Sequence, residues 1–162
     1  MLNFHFDRLY HGSSTLLAFG AVLKWRGQAY VDDWQATDFY AVLEFFRPEH
    51  CIAHKDAVFM VSSPDDIDAA GGATEWCAEV KPLGTCSRHD LNWCSEISCL
   101  ISDGQACTSV AVQTAAHAYW AGEPHGLEAA CVWEYLARSM QILRCESFDS
   151  LEENLPLSNQ TP

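Results

Sequence analysis

Strand-like and helix-like apolar segments follow one another along this chain without regular alternation, and this order constrains the fold more than any other feature. Residues 57–62 (AVFMVS) form an apolar run that is typical of a buried strand. Residues 34–46 instead carry large apolar side chains at helical spacing. Because the two patterns are interleaved irregularly, they predict an α+β domain with a mixed or largely antiparallel sheet flanked by short helices.

Glycine, proline and capping residues set the expected limits of the elements. A hairpin is expected over residues 22–31. A helix is expected to begin at Asp32 or Asp33 and to end before Pro48. The other expected elements are a strand that ends at Tyr10, helices at 65–70, 90–101 and 110–119, a strand at 76–80 that Pro82 and Gly84 stop, and a strand at 131–136.

The chain is long enough for one domain with a substantial core. It has 162 residues, of which 49% are hydrophobic and 19% charged. A domain of this length buries roughly two thirds of the surface of its unfolded chain. Residues 1–146 are therefore expected to form one domain. Residues 147–162 contain acidic residues followed by Asn, Pro, Ser and Gln, a composition typical of a flexible tail.

The charge balance argues against one class of partner. Nine basic residues stand against 22 acidic ones, which gives a formal net charge of −13. Such a surface repels phosphate backbones, so we expect no nucleic-acid binding through a basic patch. The same charge favours solubility, and it leaves open a role as an acidic binding module that inhibits a basic partner.

The eight cysteines are expected to be reduced thiols in a cytoplasmic protein. The first ten residues lack the basic and apolar regions of a signal peptide, and no run of 18 apolar residues suggests a membrane span. No C-x2-C pair occurs, whereas structural zinc sites commonly use closely spaced ligand pairs. We therefore expect neither a metal site nor a disulfide framework.

The segment with the clearest functional pattern follows the first expected strand and reads Tyr10-His11-Gly12-Ser13-Ser14. A histidine at a strand end offers a directional donor and acceptor, a glycine lets a ligand approach the backbone, and a serine adds a hydroxyl group. Together these groups suit a ribose hydroxyl and a planar amide. A loop histidine beside a turn glycine would also account for the pattern.

This motif and two later segments resemble the ADP-ribosyltransferase fold of the H-Y-E type, which includes diphtheria-toxin-like and rifampin ADP-ribosyltransferase-like enzymes. In that family a Tyr-His-Gly-Thr/Ser motif ends the first strand, as residues 10–13 do here. A strand with an aromatic and small hydroxyl residues then leads into a short helix, as residues 58–67 do here. A glutamate on a late strand completes the site, and residues 133–136 (WEYL) supply one here.

The resemblance implies an enzyme that binds NAD and transfers its ADP-ribose unit to an acceptor. His11 would contact the nicotinamide ribose, Phe59 would stack on the nicotinamide ring, and Glu134 would stabilise the positive charge that develops as the glycosidic bond breaks. The implied cofactor-binding residues are Tyr10, His11, Gly12, Ser13, Phe59 and Ser62, and the implied catalytic residues are Glu134 and His11.

Two positions depart from the family pattern. Phe59 stands where a tyrosine is commonest, so its ring can stack but cannot donate a hydrogen bond. Glu134 lacks the paired upstream glutamate or glutamine of arginine-modifying relatives. This second departure argues against modification of protein arginines and leaves other protein groups, nucleic acids and small molecules as acceptors.

Other functions stay open from the sequence alone. They are a non-catalytic acidic binding module, an NAD glycohydrolase, and a thiol enzyme that uses Cys51 with His50 or His54, although neighbours in sequence are weak evidence for a dyad. Eight further residues are expected either to line a site or to pack in turns and the core: Arg47, Arg88, His89, Asp90, His117, Tyr119, Trp120 and His125. Three other glutamates, Glu96, Glu123 and Glu128, are alternatives to Glu134 as the catalytic residue.

Overall fold

The computed structural model describes residues 8–25 and 38–153. The tip of the expected hairpin, the expected helix start at Asp32 or Asp33, and residues 154–162 lie outside these ranges.

Five antiparallel strands form one sheet: β1 (Leu9–Ser13), β2 (Val22–Lys24), β3 (Val58–Val61), β4 (Trp76–Asp90) and β5 (Trp133–Ser147). The strand order is β2-β5-β3-β1-β4. Because β4 also pairs with β5, the strands β1, β4, β5 and β3 close into a continuous circle. The expected strand at 57–62 is confirmed as β3.

Within residues 8–25 and 38–153, four α-helices accompany the sheet: α1 (Asp38–Phe45), α2 (Asn92–Ser102), α3 (Val110–Ala121) and α4 (Phe148–Glu153). The limits of α3 follow from its caps, since the Ser109 hydroxyl accepts the N–H of Val112 and Gly122 takes a φ of 70° at the other end. Helices and an antiparallel sheet together confirm the α+β class. Within the described ranges, no helix has the length and apolar character needed to cross a membrane.

The two long strands differ from the sequence prediction. Pro82 and Gly84 were expected to stop a strand after residue 80, but β4 continues through both to Asp90. The pairing with β5 shifts register between Leu83 and Cys86, so Gly84 lies within an irregularity of the ladder, and Pro82, which is still paired with Met140, lies just before it. The strand expected at 131–136 likewise continues to Ser147 as β5, because β4 pairs with it along its length.

Side chains on the two faces of the sheet pack into separate clusters. On the helix-side face, Val61 and Leu136 pack with residues of the helices such as Leu43, Ile97 and Val112. On the far-side face, the cluster comes largely from the strands that form the circle, and it includes Leu9, Val58, Met60, Ala78, Tyr135 and Ala137. Because side chains alternate along a strand, the position of a residue decides which cluster it joins.

Two short segments also differ from expectation. A helix was expected over residues 65–70, but only a 3-10 turn forms at Pro64–Asp66, and the Ser63 hydroxyl caps it. Residues 67–73 then fold as turns back over β1. The first residues of the expected flexible tail form α4, and its Phe148 packs against the helix-side cluster.

Candidate functional site

A cavity of about 210 Å³ lies between β1 and β3. The two strands pair at Tyr10 and Val61, and the cavity occupies the gap where they separate. Residues 10–14 and 57–61 border the cavity from the two strands, and residues 70–73 border it from the turn after β3. The motif at residues 10–14 and the residues of β3 therefore border the same largely apolar space.

The imidazole of His11 joins the two strands at this gap. Its Nδ1 lies 2.9 Å from the carbonyl oxygen of Phe59. A carbonyl oxygen only accepts hydrogen bonds, so Nδ1 carries a proton and donates it. In the neutral form of this tautomer, Nε2 is an acceptor. His11 thus ties β1 to β3 and also borders the cavity.

Gly12 and Ser13 serve the packing of their own chain. A Cβ at position 12 would lie 2.2 Å from the carbonyl oxygen of Ala73 and 2.4 Å from Cγ2 of Ile67, so the turn after β3 fills a space expected for a ligand. The buried Ser13 hydroxyl donates to the carbonyl of Thr15 over 2.8 Å and accepts its N–H over 3.2 Å. Both residues still border the cavity.

Phe59 and Ser62 lie differently with respect to the cavity. Phe59 borders the cavity, but it pairs with Leu136 and its ring packs in the helix-side cluster, parallel to His54 at 5.9 Å between centroids. Ser62 is exposed and does not border the cavity. The expected cofactor-binding residues that do meet there are Tyr10, His11, Gly12, Ser13 and Phe59.

Two residues at the cavity were not singled out by the sequence. Lys24 ends β2 and Trp25 follows it, and both are exposed and border the cavity. The described residues that border the cavity include one lysine or arginine side chain, that of Lys24, and no aspartate or glutamate. Their segment has an irregular pattern, and they reach the cavity only because β2 pairs with the distant strand β5.

Glu134 faces the opposite side of the sheet from His11. It pairs with Val61, which also pairs with Tyr10, so these three positions share the helix-side face. His11 follows Tyr10 and therefore faces the far side. Glu134 is 2% exposed and does not border the cavity. The two expected catalytic residues are thus not brought together.

Glu134 instead ends a chain of four hydrogen-bonded side chains beneath the helices. The Tyr119 hydroxyl on α3 donates to Glu134 Oε1 over 2.6 Å, and its oxygen lies 2.8 Å from His54 Nε2. At the other end, His54 Nδ1 lies 2.6 Å from Glu44 Oε1. We call Glu44, His54, Tyr119 and Glu134 the buried polar chain. It joins α1, the 3-10 turn at His54–Asp56, α3 and β5.

The two carboxyl groups of this chain have pKa values shifted in opposite directions. Burial raises the pKa of Glu134, and the charge of His54 and the hydrogen bond from Tyr119 only partly oppose it. Burial also acts to raise the pKa of Glu44, but hydrogen bonds from His54 and Arg47 outweigh it and lower the pKa to about 2. Glu44 is therefore ionised at neutral pH.

A second buried histidine lies beside the buried polar chain. The ring of His89 stacks on that of Tyr119 at 4.6 Å between centroids. Its Nδ1 donates to the backbone carbonyl of Tyr119 and its Nε2 accepts from the Ser87 hydroxyl, each over 2.8 Å. Burial lowers the pKa of His89 to about 4, so this ring is neutral at pH 7.

The cluster Arg88-His89-Asp90 stabilises the fold and does not border the cavity. The Asp90 carboxylate accepts the N–H of Asn92 over 3.0 Å and the N–H of His125 over 2.8 Å, so it caps α2 and fixes the loop before β5. The Arg88 guanidinium lies 3.9 Å over the ring of Trp133. Both residues therefore have structural partners.

The other candidates are dispersed. His54 directs both ring nitrogens into the buried polar chain, and burial raises the pKa of the Cys51 thiol, so a thiol dyad between them is disfavoured. The Trp120 indole donates to the carbonyl of Leu43 within the core. Arg47 binds the carboxylate of Glu44 and two backbone carbonyls at the end of α1.

Among the members of the buried polar chain, the sequence assigns a role in NAD chemistry to Glu134, and it offers His54 and Tyr119 only as other candidates. The members of this chain are separated by 10, 65 and 15 positions.

No protein-family model matches the chain, and no curated protein matches its sequence.

Proposed function

We propose that the protein binds NAD, with the nicotinamide ring and its ribose in the cavity between β1 and β3, and that it transfers the ADP-ribose unit to an acceptor. The observation that supports this proposal is that Tyr10, His11, Gly12 and Ser13, the residues of the family-like motif, border one apolar cavity. An apolar pocket with a few polar groups suits a planar aromatic amide.

The size of the cavity limits which part of NAD it would hold. Its volume of about 210 Å³ is below the roughly 300–1,000 Å³ of pockets that enclose drug-sized ligands. A nicotinamide ring with its ribose suits this volume better than the whole dinucleotide. The pyrophosphate and adenosine would then extend across the mouth.

The two exposed residues at the mouth favour a ligand that carries phosphate and an aromatic base. Lys24 offers an ammonium group to a pyrophosphate, and Trp25 offers an indole face to a base. The protein as a whole has a net charge of −13, so Lys24 places a local positive charge at the cavity of an acidic protein.

The position of Glu134 favours a second candidate function, which is binding of NAD without transfer. Cleavage of the nicotinamide–ribose bond builds positive charge on the ribose, and a carboxylate beside it would stabilise that charge. No aspartate or glutamate among the described residues borders the cavity, and Glu134 binds Tyr119 on the opposite face. A module that holds NAD without breaking it accounts for this arrangement.

Calorimetric titration with NAD, combined with an assay for released nicotinamide, separates the two functions. For transfer, we expect the wild type to bind NAD and release nicotinamide, and Glu134→Gln to bind without release. For binding alone, both proteins bind and neither releases nicotinamide. If the wild type does not bind NAD, both proposals are wrong.

Two further variants locate the binding site. His11→Ala removes the side chain that joins the strands at the cavity, and we expect at least a tenfold loss of NAD affinity. Ser95→Ala changes an exposed residue of α2 and should leave the affinity unchanged. Circular dichroism on each variant establishes that the loss is not a loss of folding. Equal affinities for His11→Ala and wild type would place the ligand elsewhere.

A further inference from the structure

We propose that the buried polar chain is a proton relay, in which one proton is shared between His54 and Glu134 through the Tyr119 hydroxyl group. The distances along the chain are 2.6, 2.8 and 2.6 Å, which are those of well-formed hydrogen bonds. None of its four side chains borders the cavity, so the inference of a relay does not rest on NAD binding.

The proton positions follow from which atoms can donate. The Tyr119 hydroxyl has one proton and donates it to Glu134, so the Tyr119 oxygen accepts a proton from His54 Nε2. His54 Nδ1 faces an oxygen of ionised Glu44, which only accepts. Both nitrogens therefore carry protons, and His54 is an imidazolium between two carboxylates.

A second arrangement holds the same number of protons. The Nε2 proton of His54 moves to the Tyr119 oxygen while the Tyr119 hydroxyl proton moves to Glu134 Oε1. One N–H and one O–H bond break and two O–H bonds form, so the total charge does not change. His54 becomes neutral and Glu134 becomes a carboxylic acid. Each group keeps its hydrogen-bond partner, with donor and acceptor exchanged.

Opposing forces at the two ends bring the arrangements close in free energy. Glu134 is 2% exposed, and burial disfavours its charge. Ionised Glu44 favours a charge on His54, and the positive charge of Arg47 is bound to Glu44 at the end farthest from Glu134. The other titratable groups around the relay are Tyr40 on α1, His89 and Asp90 on β4, and Cys94 on α2.

The relay connects a buried carboxyl to the surface of the protein. The side chain of Glu44 is 23% exposed, whereas Tyr119 and Glu134 are enclosed. A change of charge at Glu44 therefore changes whether Glu134 is protonated, because protons shift along His54 and Tyr119, although Glu44 and Glu134 lie on different elements. The protonation of Glu134 is set by residues that do not touch it.

Infrared spectroscopy tests the sharing of the proton, because a protonated carboxylic acid has a carbonyl band separate from the bands of carboxylates. At pH 7 we expect His54→Gln to gain such a band, since Glu134 then keeps the proton. The double variant His54→Gln/Glu134→Gln should lose it. The wild type, in which the two arrangements share the proton, should show only a weaker band that Glu134→Gln removes. Absence of the new band in folded His54→Gln, or an equal Glu134 band in the wild type, overturns the relay.

Glu44→Gln provides the second variant if His54→Gln does not fold. It removes the charge that favours the imidazolium but keeps a side chain of the same shape at the exposed end. We expect the same gain of a Glu134 band. Glu49→Gln, at an exposed glutamate nearby, is the matched control and should leave the spectrum of the wild type unchanged. If folded Glu44→Gln gains no band relative to Glu49→Gln, no proton passes along the chain.

Discussion

The cavity between β1 and β3 and the buried polar chain lie against the same sheet, but they are built in opposite ways. Most of the β1 wall of the cavity comes from five consecutive residues, its lining is largely apolar, and His11 makes one hydrogen bond across the gap. The buried polar chain takes its side chains from four separate elements. Each is joined to the next by a hydrogen bond of 2.6 to 2.8 Å.

This difference shows that a short sequence motif can mark the position of a cavity without supplying every side chain that the expected reaction needs there. The residues around His11 meet at the cavity because they are neighbours in the chain. Glu134, expected to act beside His11, is directed to the other face by the alternation of β5 and is held there by Tyr119. The proposed binding at the cavity and the proposed proton relay therefore use different side chains, and a variant can disturb one without the other.

Removing the Tyr119 hydroxyl should have the largest effect on stability. Tyr119→Phe leaves buried Glu134 and His54 without the group that joins them, and we expect a loss of about 4 kcal/mol in the free energy of unfolding. Urea denaturation measures it. Tyr40→Phe removes a hydroxyl from the same core and should cost less than about 1 kcal/mol. Equal losses in Tyr119→Phe and Tyr40→Phe would mean that the hydrogen bonds of the buried polar chain make no specific contribution to stability.

A side chain at position 12 should cause the second-largest loss of stability, and the disturbance should lie beside the cavity. In Gly12→Ala the new Cβ would meet a backbone oxygen at 2.2 Å, so β1 and the turn after β3 must separate, at a cost of about 3 kcal/mol. Gly84→Ala has no atom within 4 Å but must keep a φ of 81°, at a cost of about 1 kcal/mol. Urea midpoints in the reverse order would contradict the packing over Gly12.

The pH dependence of unfolding should report His89 beside the polar chain. Its pKa is about 4 in the folded protein and near 6.5 when unfolded, so between these values the unfolded chain binds the extra proton. Stability should therefore fall by about 3 kcal/mol as the pH drops from about 6.5 to about 4. His89→Gln should lose this slope, and His117→Gln, at an exposed histidine, should keep it. A slope that survives in His89→Gln would assign it to other groups.

Charge at the cavity mouth should give the smallest effect. Lys24→Ala removes an exposed ammonium group, so we expect unchanged stability and a roughly threefold to tenfold loss of NAD affinity at low salt. The difference from wild type should shrink as salt is added, because screening weakens the attraction. Lys55→Ala, at another exposed lysine that does not border the cavity, should leave affinity unchanged. Calorimetric titration at two salt concentrations measures both.

The parts of the fold that the sequence predicts are those with strong local patterns. The run of residues 57–62 predicts β3, and the apolar spacing of residues 110–119 predicts most of α3. Pro82 and Gly84 were misleading because pairing with β5 carries β4 past local breakers. The strand lengths follow from contacts between distant segments, which no local pattern contains.

The same division applies to the candidate site. The cavity was predictable in part because its motif is continuous, although Lys24 and Trp25 reach it only through the pairing of β2 with β5. The partners of Glu134 were not predictable. The sequence offers Tyr119 as a residue that lines a site or packs, and His54 as a partner of Cys51, but nothing in it pairs either residue with Glu134.

Methyl NMR of methionine tests the central claim most directly, namely that NAD occupies the cavity and not the face that carries Glu134. The chain has three methionines, and two of them, Met60 and Met140, border the cavity. Their signals can be assigned with Met60→Leu and Met140→Leu. We predict that both signals shift on titration with NAD, in the wild type and equally in Glu134→Gln. Binding that leaves both signals in place would contradict the assignment of the cavity.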